Sequence, residues 1–432
     1  MEFFSEALVA MFIAITSIAV SRRRIGRFPV ASREGKYIRG LGTTLISSPA
    51  VALYLVLGLV APNAAAQINN IGLAIHVFNV GQGDSTLVIG PPPQHKTLLI
   101  DMGEELTGTR THYKDIAAKL KTLIPNKKTI DYFVISHYHF DHIGTNLKTR
   151  QGSVGLWGLL DVEGYRIAKL VDRGDAVQIG PPTGPEDKLH QQIGAWLTSG
   201  AIKQRETAHL GTDQIDLGDK VIVEIVAVNG NGILEKVNQN NPTKFVRCPP
   251  SENDFSVALK ISQGDFEYFT GGDLAGQNTS RQFGATCTSY NNVETSIASK
   301  VGNVEVMKIN HHGSLYSSNS LFLKTLAPEF MIVTSGARNR YQHPSRQAMD
   351  RATKVGAVLI TGGLSEKEWP GGSLLPGMQL VEDGVDILVE AGGRKYEILG
   401  VVHPSFSDVD EQKGLDRAHA RDVVNKLNRE HQ

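Results

Sequence analysis

Ser136-His137-Tyr138-His139-Phe140-Asp141-His142 follows directly on an apolar stretch that begins at Tyr132. Histidine supplies 14 of the 432 residues. Three histidines and an aspartate in the fixed arrangement H-x-H-x-D-H therefore arise by chance in about one such chain in a thousand. Imidazoles and a carboxylate suit borderline-soft divalent ions such as zinc. A tight loop can turn His137 and His139 toward one ion, and Asp141 and His142 toward a second.

Working outward, three other loops that follow apolar stretches carry compatible chemistry. Ile100-Asp101-Met102-Gly103 puts a carboxylate where it can orient a ligand histidine from behind. Tyr268-Phe269-Thr270-Gly271-Gly272-Asp273 ends on two glycines, which let the backbone pass close to a metal, and on an aspartate able to bridge two ions. In Asn310-His311-His312-Gly313-Ser314, His311 is expected to complete the second ion's ligands. Asp141, His312 and His343 are the catalytic candidates, the two histidines to bind or protonate a leaving group. Tyr138, Phe140, Tyr316 and Tyr341 flank these loops and suit base stacking, a cage for a choline cation, or plain packing equally well.

Apolar periodicity predicts strands at Leu73–Val80, Ser85–Ile89, Lys96–Ile100, Tyr132–Ser136, Val221–Val228, Val304–Ile309, Phe330–Thr334 and Val358–Thr361, with a hairpin around Gln263-Gly264-Asp265. Helices are expected at His112–Ile124, Asn319–Leu326 and Ser345–Thr353. Hairpins first and strand–helix alternation later imply two packed sheets with helices outside. Residues 150–220 are weakly patterned and read as an insertion. Residues 404–432 read as a polar helical tail.

With 41% hydrophobic and 20% charged residues the composition is globular, which excludes a disordered or fibrous chain. The first 66 residues stand apart. Arginines from Arg22 to Arg39 precede an apolar run, Pro49–Val60, that ends in Ala64-Ala65-Ala66. This is the layout of an export signal cleaved after Ala66, with an uncleaved anchor or a misassigned start as the alternatives. Residues 1–66 hold seven of the 44 basic and three of the 44 acidic residues, so the remainder carries 37 against 41, a formal charge of −4. No broad basic surface for duplex nucleic acid is expected. Two cysteines, Cys248 and Cys287, exclude a cysteine-built zinc ribbon. In an exported chain they are expected to pair, closing a loop of about 40 residues.

The hexad, Asp101, Gly272-Asp273 and His311-His312 together resemble the metallo-β-lactamase superfamily. The resemblance covers about residues 73–350 and implies a four-layer αββα sandwich over 67–403 with a dinuclear site at one edge. Val80-Gly81-Gln82-Gly83-Asp84, Asn253-x-x-Ser256 and Asn339-x-Tyr341-x-His343-Pro344 are similar to the hydrolase domain of ComEC-type DNA-uptake channels. Asp101-Met102-Gly103-Glu104 with the hexad also resembles secreted phosphorylcholine esterases. The resemblance implies an exported hydrolase using a metal-bound hydroxide, with two divalent ions, zinc first and manganese or iron as alternatives. Its substrate would be a phosphodiester: single-stranded nucleic acid or a phosphocholine group. An ester or lactam hydrolase and a non-catalytic binding module are the competing readings. One departure matters: the window expected to hold a third-motif histidine reads Cys248-Pro249-Pro250-Ser251-Glu252-Asn253. His209, or Cys248 as a thiolate, are the candidate replacements.

Overall fold

The computed structural model describes residues 70–103, 112–125, 127–146, 153–175, 185–230, 250–283, 286–405 and 410–430. The segment 1–66 and Cys248 lie outside the described residues, and with Cys248 the expected disulfide.

The chain begins with β1 (Ile71–Val77), β2 (Thr86–Ile89) and β3 (Thr97–Ile100), which form an antiparallel meander. Helix α1 (His112–Leu123) then crosses to β4 (Thr129–Val134), parallel to β3. The hexad runs into the single turn α2 (Phe140–Ile143), and the short strands β5 (Gly144–Thr145) and β6 (Val154–Gly155) lead to β7 (Arg166–Asp172), α3 (Pro185–Ser199) and β8 (Ile202–Thr207). A second meander follows, β9 (Val221–Ala227), β10 (Ala258–Gln263) and β11 (Phe266–Thr270), then the hairpin β12 (Thr279–Phe283) and β13 (Thr286–Tyr290). Strand–helix alternation resumes with α4 (Val293–Val301), β14 (Val306–Lys308), α5 (Ser320–Leu326), β15 (Phe330–Ser335), α6 (Arg346–Thr353), β16 (Ala357–Gly362) and β17 (Met378–Val381). The chain returns through β18 (Val385–Glu390), β19 (Lys395–Ile398) and β20 (Val401–Pro404) to α7 (Asp410–Glu430).

Among the described residues, one sheet runs β20-β19-β18-β1-β2-β3-β4-β7-β8 and the other β17-β16-β15-β14-β11-β10-β9. Side chains alternate across each strand, so each sheet buries both faces. Leu73, Ile75 and Ile100 of the first sheet meet Leu259, Tyr268 and Ile332 of the second in a shared core. On the outer face of the first sheet, Leu99, Phe133 and Leu170 pack with Ile116 and Leu120 of α1 and Ile193 and Trp196 of α3. On the outer face of the second, Phe269, Met307 and Met331 pack with Ile297, Phe322 and Met349 from three helices. The layers are helix, sheet, sheet, helix.

One stretch differs from its reading in sequence, and the expected terminal helix is present with contacts of its own. Within 150–220, β7 and β8 extend the first sheet and α3 covers it, so this segment is integral to the fold. Its pattern is weak because β8, at the sheet edge, is largely exposed. Helix α7 is docked: Ala420 and Val424 are buried, Asn425 accepts from the Gly377 amide (2.8 Å) and Asn428 donates to the Met378 carbonyl (2.7 Å). No helix among the described residues is long and apolar enough to cross a membrane.

Candidate metal centre

Strands β3, β4, β11 and β14 deliver Asp101, the hexad, Asp273 and the His311-His312 pair to one edge of the sandwich. Backbone hydrogen bonds stitch these loops together. Asp84 N donates to Asp141 O (2.9 Å), Gly103 N to Asp84 O (2.8 Å) and Met102 N to His142 O (2.8 Å). The two sheets are joined there by Val257 N to Ser136 O (2.8 Å). Gly103 is required by this crowding, since a Cβ there would lie 1.6 Å from the Asp141 carbonyl oxygen.

The hydrogen bonds behind the rings determine where the lone pairs point. His142 Nδ1 lies 2.8 Å from Asp101 Oδ2, and His312 Nδ1 lies 2.8 Å from the Thr334 carbonyl oxygen. Both partners only accept, so both rings carry their proton on Nδ1. Their Nε2 atoms face each other at 3.3 Å, 3.2 and 3.6 Å from Asp273 Oδ1. Asp141 Oδ2 approaches His312 Nε2 at 3.5 Å. Ser136 Oγ gives its proton to Asp101 Oδ2 (2.7 Å) and accepts from His137 Nδ1 (3.1 Å). His137 Nε2 is thereby turned toward His139 Nδ1 (3.0 Å) and Asp273 Oδ2 (3.8 Å). The two oxygens of Asp273 thus face two different sets of nitrogens.

Acceptor nitrogens in contact around a buried carboxylate need a cation between them. That donor set fits divalent metal ions, and buried Asp273 Oδ1 has no hydrogen-bond partner of its own. The electrostatics agree. Against the effect of burial, His142, His311 and His312 hold Asp273 well below the usual carboxylate range. Burial opposes charge on His142 too, but Asp273 and Asp101 raise its pKa well above the ordinary histidine value. The pKa of His312 is raised in the same way, by Asp273 and Asp84. Burial, then the charge on His142, holds His137 well below that value.

The structure brings His137, His139, His142, Asp273 and His312 into two ligand groups, with Asp101, Asp141, His311 and His343 beside them, but the adjacent histidines exchange places. His312, expected at the leaving group, supplies the Nε2 that meets His142. His311, expected as the ligand, sits 3.6 Å from Asp273 Oδ2 with the Asn253 amide 3.1 Å from its Nε2. The cause is the backbone: both residues adopt left-handed φ, 51° and 52°, which drives His312 inward and leaves His311 at the mouth. His343 stands beside His311, ring centroids 5.3 Å apart, with Tyr341 stacked on it. Tyr290 and Tyr316 stack on each other nearby, while Tyr138 is buried. His209 is turned to Asp213 and joins neither ligand group.

Sequence reasoning missed the floor of the site. Lys308, 1% exposed, forms an ion pair with Asp84, which also accepts from Thr334 Oγ1. Burial would raise the Asp84 pKa, but Lys308, His312 and His142 hold it below the ordinary value. Although Asp84 lies within the cluster of His142, Asp273 and His312, its oxygens face the Nδ1 side of the rings, 3.6 and 3.5 Å away. It supports the ligands from behind. A lysine inside the apolar run Val304–Ile309 was the available signal.

Residues 78–199 match the model of the metallo-beta-lactamase superfamily. ComE operon protein 3 of Bacillus subtilis (strain 168) is 22% identical over 284 residues, 64% of this chain and 30% of that protein. Competence protein ComA of Neisseria gonorrhoeae is 35% identical over 75 residues, 17% of this chain and 11% of that protein. The chain thus spans less than a third of the length of these relatives. A long form RNase Z from yeast aligns with a TM-score of 0.30 at 12% identity, covering 68% of this chain and 43% of that one. With the layered packing and the ligand cluster, the match makes this chain similar to metal-dependent hydrolases of the metallo-beta-lactamase superfamily and to ComE operon protein 3, with an α/β sandwich fold.

Proposed function

We propose that this metallo-β-lactamase-type hydrolase is an exported phosphodiesterase or nuclease that works with two divalent ions, zinc first. The observation that carries the dinuclear reading is the division of Asp273, one oxygen toward His142 and His312, the other toward His137. His137 and His139 would hold one ion, and His142, His312 and Asp141 the other. When bound, such ions supply Lewis acidity and lower the pKa of a water to about 7.

The chain's own residues do the rest. Asp101 and the Thr334 carbonyl fix the tautomers that leave Nε2 free for ligation. Burial and the charge on His312 push His311 down to about 4, and burial puts His343 well below the ordinary histidine value. Both are neutral at pH 7. His343 therefore serves a leaving group as a hydrogen-bond partner rather than as a stored acid. The phosphodiester preference is supported by the likeness to ComE operon protein 3 and Competence protein ComA and by a mouth lined with Tyr290, Tyr316 and Tyr341, suited to stacking. Export is supported by the layout of residues 1–66.

Elemental analysis of gently purified protein should give close to two ions per chain, and a chelator should abolish hydrolysis. Turnover of bis-p-nitrophenyl phosphate should exceed that of nitrocefin. Full activity in metal-stripped protein would end the metal reading. Efficient nitrocefin hydrolysis with an inert phosphodiester would end the phosphodiester one.

A further inference from the structure

Among the described residues no third histidine falls within the ligand group of His137 and His139, His311 reaching only Asp273 Oδ2, and the window where the resemblance places a third ligand contains Glu252. This residue is buried, and its Oε1 accepts at 3.0 Å from the amide of Tyr138, the residue between the two ligand histidines. Its other partner is Arg173, fully buried just past the end of β7. Arg173 Nε reaches Glu252 Oε1 at 2.8 Å and its Nη2 reaches Oε2 at 2.9 Å, a two-pronged charge-assisted pair. The guanidinium also lies over the Tyr138 ring, 4.4 Å from its centroid, and 5.4 Å from that of Phe255. The Tyr138 hydroxyl donates to Gly174 O at 3.2 Å. Tyr138 is therefore held at its amide, its ring face and its hydroxyl.

The support is itself anchored on the far side. Glu252 opens a short 3-10 turn whose capping box joins Ser251 and Asp254. Ser251 N donates to Ser289 O on β13 (2.7 Å), and Asp254 accepts from the Asn291 amide (2.9 Å). Glu252 is thus a strut from the second sheet's loops to the hexad of the first.

We infer that Glu252, held by Arg173, is a positioning residue that does the work of the absent third ligand: it fixes the His137–His139 turn so that two histidines and one oxygen of Asp273 suffice for that ion. Arg173 neutralises the carboxylate and keeps it from swinging in as a ligand. Partners that orient metal ligands commonly change affinity by about 10–100-fold when removed.

The test is competitive Zn²⁺ titration of the metal-stripped full chain. Glu252→Gln should weaken one of the two ions by about tenfold or more and leave the other within about twofold. Arg173→Lys, which keeps the charge but loses the fork, should give a smaller loss at the same ion. On a His139→Ala background, Glu252→Gln should cause no further loss, because both act on one half. Equal weakening of both ions, no weakening, or additivity with His139→Ala would overturn the inference. Should Glu252→Gln fail to fold, amide exchange on the unsubstituted, metal-free chain decides: the Tyr138 N–H must be strongly protected, and rapid exchange there would overturn the inference equally.

Discussion

Around Asp273 Oδ1, His142 and His312 are buried, and each has its outer nitrogen fixed by an acceptor beneath which lies the Asp84–Lys308 pair. Around Asp273 Oδ2, His137 is buried and His139 is exposed; His311 also approaches this oxygen at 3.6 Å, yet among the described residues no third histidine falls within the ligand group of His137 and His139. One half is rigid through its own floor; the other is open and is held through the backbone between its ligands. If the site is dinuclear as proposed, its two halves reach the same donor chemistry by different means. A half deep in the fold relies on hydrogen bonds behind each ring. A half at the rim, where solvent competes, relies on positioning the chain that carries the rings.

The comparison breaks most completely if the shared carboxylate is removed. Asp273→Asn should lose both ions and reduce hydrolysis by about a thousandfold or more, measured by elemental analysis and turnover. His139→Ala should lose one ion, so equal losses in the two variants would mean the halves are not separable. Lys308→Met attacks the deep half alone. It takes the ammonium partner from buried Asp84, leaving it the Thr334 hydroxyl and the flanking His142 and His312 rings, and should cost about 3–5 kcal/mol in denaturant unfolding. An unchanged midpoint would show that Asp84 does not depend on Lys308.

A pH titration sharpens the contrast. His142 and His312 have folded pKa values raised above the unfolded value of about 6.5. In metal-free protein, the stability they contribute is full below that pH and is lost as pH rises through their folded values. Ions entering the deep half must displace those protons, so Zn²⁺ uptake should release protons in weak buffer and its affinity should fall as pH is lowered. The pKa of His137 is depressed, so the rim half should show the weaker pH dependence. The smallest effect belongs to Tyr341, 51% exposed at the mouth. Tyr341→Ala should leave unfolding within about 0.5 kcal/mol and raise KM more than it lowers kcat.

Sequence patterns reached the strand-end loops because local rules govern them. The hexad, Asp101, Asp273 and the histidine pair each sit where an apolar run stops, and the strands read from sequence lie within two or three residues of those observed. What sequence did not disclose depends on distance. Glu252 and Arg173 are 79 positions apart, and nothing local marks them as partners. The choice between His311 and His312 depends on a left-handed backbone that no side-chain pattern announces. Strand β8 escaped because an edge strand half in water has no apolar face to read.

The left-handed turn at His311 and His312 has a further meaning. Each non-glycine residue in that region carries strain of about 1–2 kcal/mol relative to ordinary backbone. Two in succession persist only because His311 N bonds Gly272 O, Ser314 N bonds His311 O, and Gly313 O is held by Ser345 N. The neighbourhood enforces the turn through hydrogen bonds of the chain itself. The site is thus shaped in advance by the fold, like a die cut before the metal is pressed into it. An ion that prefers another geometry would have to bend a whole edge of the sandwich rather than one side chain.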